Sequence, residues 1–272
     1  MFIERAGARL FYQAEGSGEP SLVFIHGVAT GHEVWSEHVR YFATTRKVIT
    51  LDLRGHGQSD SADDYPQELF IADLDAVLAA TQLRQPVLVG WSLGGSIAIR
   101  YAALHPQKVA GLVLVDHNVR AIRTEDNPLG APPGLIEGML RDIEEDYAGR
   151  GVRSLVDRWF SEPPEEVQAV KEWLYKLCLR TNPEVILKIR RRGIREDRSG
   201  WLKQVRAPTL ILQGGASVLG GEATGRYQHQ QIPNSTLYIF PDRGHALHLT
   251  APAEFRARVE EFMKKISANP RR

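Results

Sequence analysis

The sequence predicts an α/β fold, in which a doubly wound and mostly parallel sheet carries an inserted helical cap. The first observation is that short apolar runs alternate with helical patterns through residues 21–116. The second is that residues 118–200 contain helical patterns and no clear strand pattern. The third is that apolar runs return after that segment. We therefore predict that residues 1–117 and 201–272 form the α/β core, and that residues 118–200 form the cap.

The elements of the core are predicted from short patterns bounded by turn residues. Residues 2–15 are typical of a hairpin around Ala6-Gly7-Ala8. Apolar spacing near 3.6 residues predicts amphipathic helices over residues 67–83 and 252–266. Continuous apolar runs predict strands that are buried on both faces. These runs are residues 21–25, 47–51, 86–89, 110–115, 209–212 and 236–240.

The cap is predicted to be helical and to cover the carboxyl ends of the strands, where ligands bind in sheets of this kind. We expect most of its aromatic residues to pack against the core and some to line a substrate pocket, with Trp159 and Trp173 as candidates. The run Arg190-Arg191-Arg192 favours a solvated face over a phosphate site. The predicted helical stretches lie near residues 134–149, 152–160, 164–180 and 183–192.

A tight turn with the sequence Gly90-Trp91-Ser92-Leu93-Gly94 lies between a predicted strand and a predicted helix. The pattern G-x-S-x-G in this context indicates a nucleophile elbow, in which the serine occupies a strained turn. Glycine is needed on either side because side chains there would collide across the turn. The helix that follows directs its free amides and positive dipole end toward a developing anion. We therefore predict that Ser92 is a catalytic nucleophile.

Composition excludes several other classes of function. The 272 residues carry a net charge of +1, which gives no electrostatic basis for binding nucleic acid or an anionic membrane. No secretory signal is visible, and no apolar stretch reaches the roughly 18 residues that a membrane span requires. The single cysteine, Cys178, excludes an internal disulfide and suits a reducing compartment. We therefore expect a cytoplasmic protein.

Four segments occur in order along the chain: Phe24-Ile25-His26-Gly27, residues 52–60, residues 90–95, and Asp242-Arg243-Gly244-His245. Together they resemble the α/β-hydrolase superfamily, specifically its capped serine hydrolases of the esterase, lactonase and haloperoxidase-like type. The resemblance covers nearly the whole chain and implies the α/β-hydrolase fold, but it is weak for the substrate. Serine at position 92 disfavours the related reactions that open epoxides or remove halide, because those use an aspartate nucleophile.

The resemblance also implies which groups act with Ser92. The family places its catalytic base after the last strand, at His245 here, where the imidazole can accept the serine proton. One oxyanion donor is the backbone amide of the residue after the nucleophile, Leu93. By resemblance, the other is the amide of Val28, which follows His26-Gly27. No metal and no cofactor are expected.

The acid that supports His245 is where this sequence departs from the family. Relatives usually carry Asp or Glu shortly after the strand at residues 210–212, where this chain has Ser217. A hydroxyl can orient a histidine but cannot stabilise an imidazolium by charge. Asp116, at the end of the preceding core strand, is our preferred acid, because some haloalkane dehalogenases hold theirs there. Glu222 in the following loop, or a site disabled by substitution, are the alternatives.

These observations predict a serine hydrolase that cleaves a small-molecule carboxylic ester or lactone through an acyl-enzyme. The alternative from a different class is a non-hydrolysing binder or receptor on the same scaffold, favoured if no acid serves His245. Perhydrolase or carbon–carbon hydrolase chemistry shares the serine and differs only in the lining of the pocket.

Overall fold

A single sheet of eight strands lies at the centre of the computed structural model, which describes residues 1–125 and 129–268. The order across the sheet is β1-β2-β4-β3-β5-β6-β7-β8, and every pairing is parallel except β1 with β2 and β2 with β4. The predicted fold class is therefore confirmed. The strands are β1 (Phe2–Arg5), β2 (Ala8–Glu15), β3 (Leu22–Ile25), β4 (Val48–Leu51), β5 (Val87–Trp91), β6 (Gly111–Val115), β7 (Thr209–Gly214) and β8 (Ser235–Phe240).

The parallel strands are buried, which agrees with their continuous apolar sequences. Every residue of β3, β4, β5 and β6 is buried, as expected where helices cover a parallel sheet and the strand is apolar on both faces. The strand order reverses its direction between β3 and β5, because β4 lies on one side of β3 and β5 on the other. A reversal of this kind opens a crevice at the carboxyl ends of the two strands. Ser92 follows β5 directly, so it lies at this crevice.

Helices make up most of the connections between the strands. Between β6 and β7, the described residues add no strand to the sheet, and residues 122 and 131 form only an isolated bridge. Proline occupies the first turn of α4, α6 and α7, where its missing N–H is not needed. The helices are α1 (Ser36–Phe42), α2 (Gln67–Ala80), α3 (Leu93–Leu104), α4 (Pro133–Glu145), α5 (Val152–Asp157), α6 (Pro164–Cys178), α7 (Pro183–Arg195), α8 (Ser199–Leu202), α9 (Gly221–Gln231), α10 (Leu247–Thr250) and α11 (Pro252–Ala268).

Two short segments complete the helical structure, a 3-10 turn at His32–Trp35 and a π turn at Tyr147–Gly151. The boundaries that we predict for the cap, residues 118–200, stay a prediction. Residues 126–128 of that range, and residues 269–272 of the predicted core, lie outside the described residues. Within the described chain, each helix is too short or too polar to cross a membrane.

Three buried histidines make the stability of the fold depend on pH. Burial lowers the pKa of His38 to about 4, and the pKa of His56 and of His117 to about 3. In the unfolded chain the pKa of histidine is near 6.5. Below pH 6.5 the unfolded chain therefore binds protons that the folded chain does not, so stability falls as the pH falls. We expect the free energy of unfolding to drop between pH 6.5 and 5 by up to about 1.4 kcal/mol per pH unit for each histidine.

Urea titrations at several pH values measure this dependence. His38→Gln should reduce the slope of the free energy of unfolding against pH by the contribution of one histidine, because glutamine does not titrate. The fold should tolerate the change, because glutamine can still donate to the His248 carbonyl that His38 Nε2 contacts at 3.0 Å. His229→Gln is the matched control, since His229 is exposed. A slope that is the same in all three proteins would contradict the assignment to His38.

Candidate active site

The turn that carries Ser92 joins β5 to α3 and has the backbone of a nucleophile elbow. Ser92 has φ 54° and ψ −113°, a left-handed conformation that is strained for a residue with a side chain. Its amide donates to the Val115 carbonyl at 3.1 Å, which fixes the turn against β6. Because α3 begins at Leu93, the serine stands at the N-terminus of a helix. Its side chain is half-buried, in contrast to the fully buried strand before it.

The two glycines of the motif are required by close backbone contacts. A Cβ atom on Gly94 would lie 2.2 Å from the Ile25 carbonyl oxygen, at the end of β3. A Cβ atom on Gly90 would lie 2.4 Å from the Gly94 carbonyl oxygen. Any side chain at either position would push α3 away from the sheet and displace Ser92. The collision expected from the G-x-S-x-G spacing is therefore present.

The turn after β3 is held in place by the imidazole of His26. The backbone amide of Leu53 donates to Nε2 at 2.9 Å, so Nε2 is an acceptor and the ring proton lies on Nδ1. Nδ1 then donates to the Gly27 carbonyl at 2.7 Å, and the Thr30 hydroxyl donates to the same carbonyl at 2.9 Å. Burial lowers the pKa of His26, which favours this neutral form. The imidazole thus ties the turn that contains Val28 to the loop after β4.

Val28 and Leu93, the two residues predicted to donate to the oxyanion, line the same cavity as Ser92. Leu93 is the first residue of α3, where backbone amides have no partner within the helix. Val28 comes from the turn that His26 holds. The structure therefore brings these residues to the cavity that Ser92 lines.

Asp116 and His245 form a buried hydrogen-bonded pair. The carboxylate oxygen Oδ2 of Asp116 accepts from Nδ1 of His245 at 2.6 Å, and both side chains are almost completely buried. The protonated Nδ1 leaves Nε2 as the ring nitrogen that can accept a proton. This is the tautomer that a general base beside a serine requires.

The carboxylate of Asp116 is held by three further donors. Oδ1 accepts from the side-chain amide of Gln213 at 2.6 Å and from the backbone amide of Gly214 at 2.9 Å. Oδ2 accepts from the Ser217 hydroxyl at 2.7 Å. Asp116 itself has φ 40°, a strained value that turns its side chain at the end of β6. Ser217, at the place where the family resemblance implies an acid, donates to a carboxylate that follows a different strand.

Glu222, the other acid considered from the sequence, lies elsewhere. It stands in the first turn of α9 and accepts from the Arg226 guanidinium at 2.6 Å, and about half of its side chain is exposed. It therefore forms an exposed ion pair on its own helix. Sequence reasoning missed Gln213, and the signal was a lone polar residue at the end of the apolar run in β7.

The backbone of His245 is anchored to Trp91, the residue that precedes Ser92. The indole Nε1 of Trp91 donates to the His245 carbonyl at 2.9 Å. Trp159, from the predicted cap, packs edge-to-face on Trp91 with ring centroids 5.1 Å apart. Trp159 also accepts, through its carbonyl, from the amide of Ala246 at 3.0 Å. Together these contacts hold the loop that carries His245.

A small cavity of about 70 Å³ opens beside Ser92, between the core and the predicted cap. On the side of the cap, aliphatic residues of α4 and α7 line it, among them Ile136 and Ile189. Arg190 also lines it, so our expectation of a solvated face at residues 190–192 is wrong for this arginine. The reason is helical periodicity, because Arg190 lies one turn after the buried Ile186. Arg191 and Arg192 are exposed as expected.

The aromatic residues that we expected in the pocket do not line this cavity within the described chain. Trp159 is 1% exposed and belongs to the core, whereas Trp173 is 39% exposed. Trp159→Ala should therefore lower the free energy of unfolding by about 3–5 kcal/mol, the usual result of removing a buried aromatic side chain. Trp173→Ala, the control within the same predicted cap, should change it by less than about 0.5 kcal/mol. Urea titration measures both, and equal losses would show that the two residues pack alike.

One group of side chains has the spacing of metal ligands, and it lies apart from Asp116 and His245. Within the described residues, ligand atoms of His32, Glu33 and Asp52 lie within 4.8 Å of one another. Asp52 already accepts from the amide and Nδ1 of His32, at 2.7 and 2.9 Å, and from the amide of Gln58 at 2.9 Å. These hydrogen bonds hold the loop after β4 and give the Asp52 carboxylate its partners. The expectation that no metal is needed stays a prediction.

Residues 20–252 match the family described as alpha/beta hydrolase fold, so the chain belongs to the α/β hydrolases. This confirms the resemblance seen in the sequence. The chain is 29% identical over 255 residues to a pimeloyl-[acyl-carrier protein] methyl ester esterase of Nitrosomonas europaea, covering 91% of this chain and 97% of that protein.

Two solved structures show the same architecture. The esterase EaEST from Exiguobacterium antarcticum superposes with a TM-score of 0.89 at 22% identity, over 97% of this chain and 98% of that one. Est816, an N-acyl homoserine lactone degrading enzyme, superposes with a TM-score of 0.82 at 26% identity, over 96% of this chain and 100% of that one. The match extends over nearly the full length of each protein.

Proposed function

We propose that the chain cleaves carboxylic esters or lactones through an acyl-enzyme on Ser92. The observation that carries this proposal is the buried pair of Asp116 and His245, because it supplies the charged partner that the family's usual position lacks. The strained turn of Ser92 at the crevice of the sheet supports it. Membership of the α/β hydrolases and the esterase names of the matched proteins agree with ester hydrolysis.

The reaction follows from the roles that these groups can take. Ser92 attacks the carbonyl carbon while Nε2 of His245 accepts its proton, and Asp116 stabilises the imidazolium that forms. The amides of Val28 and Leu93 donate to the oxyanion, a contribution whose loss typically costs about 10²–10³ in rate for one donor. The imidazolium then protonates the leaving alcohol. Water, activated by the same histidine, releases the acid and restores the serine.

The competing reading, a binder on the same scaffold, depended on His245 having no acid. The contact of 2.6 Å with Asp116 argues against it. Stopped-flow hydrolysis of p-nitrophenyl acetate separates the two, because an acyl-enzyme gives a burst of p-nitrophenol followed by steady turnover. A protein that binds esters and releases no p-nitrophenol above the background would refute hydrolysis.

Lactones are candidates beside linear esters because both present the same carbonyl to the serine. Est816, which is named for the degradation of N-acyl homoserine lactones, shares the fold at 26% identity. A panel of short p-nitrophenyl esters, methyl esters and γ-lactones distinguishes the two classes by their kcat/KM values. The matched esterase of Nitrosomonas europaea makes methyl esters a necessary part of that panel.

A further inference from the structure

The cavity beside Ser92 contains two guanidinium groups from the segment between β6 and β7. Arg190 of α7 and Arg198, which follows that helix, both line it. The Nε atoms of both arginines are completely buried and have no hydrogen-bond partner within residues 1–125 and 129–268. Because these Nε atoms are closed off from the cavity, a ligand there could reach only the outer nitrogens of the two guanidinium groups. What would attract such a ligand is the positive charge of these groups.

The charges around the cavity do not balance. Arg198 pairs with Glu196 at 2.9 Å, which compensates one of the two positive charges. Across the described part of the chain, no carboxylate forms an ion pair with Arg190. Burial, together with the nearby charge of Arg198, lowers the pKa of Arg190 to about 10, so it remains a cation at neutral pH. One positive charge is therefore left without a partner.

The remaining walls strengthen the attraction for an anion. Aliphatic side chains of Ile136, Ile189, Ile194 and Leu219 line the same cavity. Apolar walls exclude water and lower the local dielectric constant, so an ion pair formed there is stronger than one at the surface. A guanidinium also presents two parallel N–H groups that match the two oxygens of a carboxylate.

We propose that the substrate carries one carboxylate a few bonds from its ester group, and that Arg190 binds this carboxylate with support from Arg198. The inference rests on the proposed ester hydrolysis, because it places the scissile carbonyl at Ser92 in the same cavity. A single carboxylate matches the single unbalanced charge better than a doubly charged phosphate.

Paired substrates that differ only in charge test this. The first pair is mono-p-nitrophenyl glutarate and its methyl ester, which place the charge on the acyl side. The second pair is 4-acetoxybutanoate and its methyl ester, which place it on the alcohol side. In at least one pair, kcat/KM for the acid should exceed that for the neutral ester by about 10- to 100-fold, as for a charged hydrogen bond in a buried site. The difference should reside mainly in KM.

Variants assign the preference to the arginines. Arg190→Met should lower kcat/KM for the acid far more than for its neutral ester, so that the preference for the acid is lost, and Arg190→Lys should retain part of the preference because the charge remains. Arg198→Met should reduce it. Arg191→Met is the matched control, since Arg191 is the next residue of α7, is exposed and pairs with Glu144. A ratio near one in both pairs overturns the inference, as does a preference that survives Arg190→Met and Arg198→Met.

A binding measurement separates this inference from the proposed chemistry. Calorimetry with the Ser92→Ala protein compares monomethyl glutarate, which keeps the charge, with dimethyl glutarate. Selective binding of the charged compound that Arg190→Met removes would support the anion site even if no ester were cleaved. Equal or absent binding of both compounds, in a protein that cleaves neutral esters, would overturn the anion site and leave ester hydrolysis intact.

Discussion

Ser92→Ala should lower kcat for p-nitrophenyl acetate by about 10⁶-fold, the usual loss when a serine nucleophile is removed. The hydroxyl forms the bond to the acyl group, and alanine offers no other nucleophile at the same place. The fold should persist, because the left-handed turn is set by contacts of the backbone, such as the amide of residue 92 with the Val115 carbonyl. Steady-state kinetics and circular dichroism measure the two effects.

Ser96→Ala is the matched control for this prediction. Ser96 lies one helical turn later, lines the same cavity and interacts with Nε2 of His117 at 3.1 Å. Its removal should change kcat by less than about tenfold, because it is not at the elbow. Activity of Ser92→Ala within about tenfold of the wild type would refute the nucleophile.

Asp116→Asn should lower kcat by about 10⁴-fold. Asparagine cannot stabilise the imidazolium by charge, and its amide group favours the wrong tautomer of His245. The geometry should survive, because Gln213 and Gly214 can still donate to the carbonyl oxygen at position 116. A shift in the pH–rate profile, beyond the lower rate, would report the lost charge and would not follow from a structural change alone.

Substitutions at position 217 provide the opposite test. Ser217→Ala removes one of the hydrogen bonds to Asp116 and should lower kcat by about tenfold, the value of one charged hydrogen bond. Ser217→Asp should also lower it, because a second carboxylate would repel Asp116 at this distance. If Ser217→Asp instead raised the rate by orders of magnitude, residue 217 would be the true acid position and the role of Asp116 would be refuted.

The sequence was informative wherever function depends on local structure. The elbow could be predicted because its strand, its turn and its helix are consecutive, and the glycine spacing reports a steric need within five residues. The buried strands were equally clear, since continuous apolar runs are what a covered parallel sheet requires. The helices of residues 133–195 followed from their periodicity. α9 was not predicted, because its sequence is largely polar and its apolar face is narrow.

The partner of His245 depended on contacts between distant strands, so the sequence could not decide it. Asp116 and His245 are 129 residues apart. They meet because Asp116 follows β6 and His245 follows β8, and these two strands lie on either side of β7 in the sheet. The cavity beside Ser92 could not be predicted from the sequence for a similar reason. A run of three arginines is typical of a solvent-exposed surface. Only the position of Ile186, one turn before Arg190, indicated that one of the three arginines faces inward.

The hydrogen bond from Trp91 to the His245 carbonyl has a consequence for precision. Trp91 and Ser92 share a planar peptide bond, so the residue that anchors the His245 loop is joined directly to the proposed nucleophile. A shift of β5 within the sheet would therefore carry the His245 loop along with Ser92. The proposed base would in this way keep its place relative to the proposed nucleophile, although the two residues are far apart in the sequence.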